Sequence, residues 1–123
     1  MSEGVLVRPL PDRASEFVLE DPVLASIVID GRVTLRFGRI DVMLAGPFSL
    51  RVDGIDHWLD PGATGTLAPL LSSFPGSARW LWASPLGELT LVMMQGQRLA
   101  VPGAPVPSAW TVGATSHRDV LAR

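Results

Sequence analysis

Asp56, His57 and Asp60 place two carboxylates and an imidazole within five residues. These are groups that hold a metal ion or exchange protons. A catalytic zinc site takes three protein ligands, and the one other histidine is His117, in the tail. The three residues fall in PFSLRVDGIDHWLDP, residues 47–61, which reads as extended chain. Neighbours in a strand point to opposite faces, so Asp56 and His57 do not easily converge on one ion. Asp60 also lies opposite His57 unless the chain bends before Pro61. The expected roles are structural: His57 partly buried and donating to a backbone carbonyl, Asp60 accepting hydrogen bonds from the loop or from the start of the helix after it. Asp56, His57 and Asp60 remain polar candidates, and no metal, cofactor or catalytic residue is assigned.

Other nucleophiles lack context. Ser72, Ser73, Ser84 and Thr90 sit in no Gly-x-Ser-x-Gly elbow, and a serine triad would have to recruit His57. PGATGTL at 61–67 carries two glycines but not the Lys-Ser/Thr of a phosphate loop, so it reads as a connection and cap. The chain has no cysteine, which removes disulfides, thiolate nucleophiles and cysteine-bound zinc. An enzyme is not expected. Four tryptophans and no tyrosine stand out instead. Trp58, Trp80, Trp82 and Trp110 are wide apolar rings with one donor each, suited to packing or to anchoring a protein interface.

The element that positions the polar trio is a hairpin. Asp53-Gly54 suits a two-residue turn, because glycine accepts positive φ freely and Asp better than most. Closing there sets Val52 against Ile55, Arg51 against Asp56, Leu50 against His57 and Phe48 against Leu59. Apolar residues then share one face with His57, while Arg51, Asp56 and Trp58 take the other. Val23–Ile29 and Val33–Phe37 form a second hairpin around Asp30-Gly31. Its register is open between a two-residue loop, with Val28 opposite Val33, and a three-residue one, with Ile29, Ile27 and Ala25 opposite Val33, Leu35 and Phe37. Ile40–Leu44 follows.

After the central hairpin, Thr66 is placed to cap a short helix whose stripe is Leu67, Leu70, Leu71 and Phe74. Pro69 is tolerated near its start, and Pro75-Gly76 stops it. At about eight residues it must lie on a sheet to persist. Strands at Trp80–Ala83, Glu88–Met94 and Arg98–Val101 come next, and Ala109–Val112 reads as a last edge strand. The unalternating LTLVMM implies a strand covered on both faces. The expected fold is therefore α+β: a mostly antiparallel, strongly curled sheet of 6–8 short strands in a hairpin meander, with one short helix packed on it. Residues 1–22 read as an N-terminal arm, 23–113 as one domain and 114–123 as a flexible tail.

Composition narrows the function. The 123 residues are 47% hydrophobic and 18% charged, with net charge -2, and mean hydropathy is +0.32. Scattered basic residues argue against nucleic acid. No run reaches 18 apolar residues and no basic head precedes an apolar block, so neither a membrane span nor a signal peptide is expected. The lack of cysteine suits a reducing cytosol. A low charge fraction implies a neutral or partly covered surface, hence self-association.

Three segments carry a resemblance: PFSLRVDGIDHWLDP, LAPLLSSF, and GELTLVMMQGQRLAVPGAPVPSAWTVG. Over about residues 27–113 the chain resembles a family of small uncharacterised actinobacterial proteins, a domain of unknown function. That family usually has an acidic-glycine turn where this chain has Gln95-Gly96, and an aromatic-acidic pair at Pro107-Ser108. Some relatives resemble immunity proteins of contact-dependent toxin systems, which implies a protein partner. The expectation is a non-enzymatic structural or protein-interaction protein that self-associates as a homodimer. The alternatives are an immunity protein of a bacterial toxin system and a module for a small apolar ligand.

Overall fold

Alternating apolar residues in this chain build two sheets rather than one. The computed structural model describes residues 5–10, 14–73, 76–103 and 110–114. Among them are eleven strands: β1 (Val5–Pro9), β2 (Ser15–Leu19), β3 (Leu24–Ile29), β4 (Val33–Phe37), β5 (Ile40–Leu44), β6 (Phe48–Val52), β7 (Ile55–Leu59), β8 (Ala78–Ala83), β9 (Leu89–Met93), β10 (Arg98–Val101) and β11 (Trp110–Ala114). One sheet has the order β1-β2-β8-β9-β10-β6-β7 and the other β11-β5-β4-β3. Every pairing is antiparallel.

The sheets share one core. Leu35, Phe37, Val42 and Leu44 of the smaller sheet join Phe48, Leu50, Leu81, Leu91 and Leu99 of the larger in a single buried cluster. Register explains how five strands contribute evenly. His57, Leu50, Leu99, Leu91 and Leu81 face one another in sequence across β7, β6, β10, β9 and β8. The four leucines of that row are almost fully buried, each stabilising by about 1.5–3 kcal/mol. His57 stands half-buried at the row's open end on the edge strand.

The central hairpin has the register read from its turn: Val52 opposite Ile55, Arg51 opposite Asp56, Leu50 opposite His57, Phe48 opposite Leu59. Asp53 and Gly54 have φ of 52° and 80°, the twin positive angles of a turn that matches strand twist. In the β3–β4 hairpin the three-residue alternative holds: Ile29 faces Val33 and Ile27 faces Leu35, with Gly31 in the loop at φ 87°. A bulge then puts Leu24, not Ala25, opposite Phe37. That shift swaps a methyl for a leucine in the core.

The expected α+β class with one strongly curled sheet is corrected to an all-β, two-sheet arrangement without strong curl. The expected cover on both faces of LTLVMM is not found: Leu89, Leu91 and Met93 are buried in the core, while Val92 on the outer face is half-buried and Met94 is 62% exposed. No helix of seven or more residues occurs among the described residues; the leucine segment is two 3-10 turns, Thr64–Thr66 and Ala68–Ser73. Hydrogen bonds run three residues back, from Thr66 to Ala63, Leu67 to Thr64 and Leu70 to Leu67. Thr66 does not cap a helix. Its hydroxyl donates to the Ala63 carbonyl at 2.8 Å and accepts from the Asp60 N–H at 2.8 Å. Period three eclipses residues i and i+3, which buries Leu67 and Leu70 and leaves Leu71 60% exposed. Phe74, Pro75, Pro107-Ser108, His117, the first four residues and the tail beyond 114 lie outside the described residues.

Candidate functional site

Strand alternation sends the polar trio in different directions. Asp56 is exposed and takes two hydrogen bonds from Arg51, Nε to Oδ1 at 2.8 Å and Nη2 to Oδ2 at 3.1 Å. The Arg51 bond holds the Asp56 carboxyl below the usual carboxylate range and raises the Arg51 guanidinium. His57 turns to the opposite face, beside Leu50. Asp60 accepts the Gly62 N–H at 2.9 Å and shapes the loop before the 3-10 turns. No three His, Cys, Asp or Glu side chains come together among the described residues. Ser84 serves its own turn, its hydroxyl accepting from Leu86 N and Glu88 N at 3.2 Å.

The tryptophans divide by face. Trp110 belongs to the inside: its ring meets Phe17 edge-on at 6.1 Å, and its Nε1 donates to the Gly87 carbonyl at 2.7 Å. This contact ties β11 to the larger sheet. Trp58, Trp80 and Trp82 all face outward from the seven-stranded sheet, on the side away from the core. Trp58 is 60% and Trp80 46% exposed, and Trp82 is half-buried.

Register arranges that outer face in two rows. Trp58, Ser49, Ala100, Thr90 and Trp82 face one another in turn, and the row continues through Glu16 to Arg8. Asp56, Arg51, Arg98, Val92 and Trp80 form the next. Trp58 and Trp82 are thus four strand spacings apart, about 19 Å. Between them the floor is made of small side chains. Arg51 and Arg98 are cross-strand neighbours of like charge, which is unfavourable. Each turns away to its own partner: Arg51 to Asp56, and Arg98 to Trp82, with its guanidinium carbon 5.7 Å from the ring centroid. Trp80 and Trp82 lean together, centroids 4.5 Å apart.

The outer face of the four-stranded sheet is different in kind. There Arg36 donates to Asp41 at 2.9 and 3.3 Å, and Thr34 and Met43 stand opposite each other. The alternation of Trp80 and Trp82 around buried Leu81 is visible in the sequence. Arg98 over Trp82, and Val18 beside Trp80 in a surface cleft, depend on pairings between distant segments and leave no local signal.

Fold and face together define a two-sheet antiparallel β protein that bears an aromatic outer surface on its larger sheet. The chain belongs to the family of unknown function DUF6188, whose model matches residues 16–122. No curated protein and no solved structure matches it. Among the described residues no helix is long and apolar enough to cross a membrane.

Proposed function

We propose that this chain is a non-enzymatic protein-interaction module that self-associates through the outer face of its seven-stranded sheet. The supporting observation is the exposure of Trp58 and Trp80 on one continuous face. Indoles left in water on a shared surface are the usual anchors of an interface. The divergence of Asp56 and His57 to opposite faces supports a role without catalysis.

Resemblance to actinobacterial relatives and to immunity proteins offers a second protein partner, a toxin, for the same face; a toxin gene beside this one would favour it. A small apolar ligand has less to hold it. Phe37, Phe48, Leu59, Leu70 and Leu89 are fully buried between the layers, and the clefts are open to solvent. The cysteine-free composition keeps a reducing cytosol as the proposed compartment.

Light scattering over a concentration series tests the reading. The mass should rise from 13.2 kDa toward twice that value. A mass that stays at the monomer throughout contradicts self-association.

A further inference from the structure

We draw no further inference here: the strongest candidate, the surface cleft between β2 and β8 beside Trp80, belongs to the outer face already described, and nothing in the structure shows what covers it.

Discussion

Arg51 holds Asp56 on the outer face through two hydrogen bonds, 2.8 and 3.1 Å long, while His57, the next residue, faces the core side of the sheet. The pair is fully exposed, so its contribution is small and screened by salt. Its sign is fixed. Because the bond lowers the Asp56 pKa in the folded state, its stabilisation is complete above the ordinary Asp value, about 3.9, and is lost as pH falls through the lower folded value. Urea midpoints of wild type and Asp56→Asn should therefore differ most near neutrality and converge in acid. A gap that persists unchanged into strong acid contradicts this.

Leu70 and Leu71 are neighbours with opposite fates. Leu70 is fully buried and Leu71 60% exposed. Leu70→Ala should cost about 2–5 kcal/mol, and Leu71→Ala within about 0.5 kcal/mol of nothing. Chemical denaturation reads both. Equal losses would restore the α-helical stripe that the 3-10 geometry replaces.

Phe48 lies at the start of β6 with its ring fully buried, opposite Leu59. Phe48→Ala should destabilise by about 3–5 kcal/mol, the transfer of the ring plus the cavity it leaves. A loss under about 1 kcal/mol would mean that the two sheets do not close over this position.

Trp110→Phe keeps an aromatic ring against Phe17 but removes the donor to the Gly87 carbonyl. The expected loss is about 0.5–1.5 kcal/mol for the hydrogen bond, read from the unfolding midpoint. The dimer constant should not change. A variant that unfolds normally but no longer associates would put Trp110 at the interface instead.

What the sequence discloses follows the range of the interaction. The β6–β7 register is legible because Asp53-Gly54 admits one tight turn and the alternation of Phe48, Leu50 and Val52 admits one face. The β3–β4 hairpin is legible only to within its loop, since the bulge that sets Leu24 rather than Ala25 opposite Phe37 leaves no mark on the local alternation. Leu67 and Leu70 satisfy a period of three as well as the period of an α-helix, so their spacing cannot choose between them. Pairings such as β10 with β6 and β2 with β8 join segments far apart in the chain, and the split into two sheets depends on them. The outward direction of Trp58 is a local fact of alternation. The cleft beside Trp80 is not, because its lining joins residues 16–22 to residues 78–81, which are far apart in the chain.

Hydroxyl-radical footprinting across the dilution series tests most directly which face is covered. Labelling of Trp58 and Trp80 should fall as the chain associates, while Met43, on the outer side of the four-stranded sheet, keeps its reactivity. Constant labelling of Trp58 through association, or protection of Met43 in its place, would contradict the outer face of the seven-stranded sheet as the interacting surface.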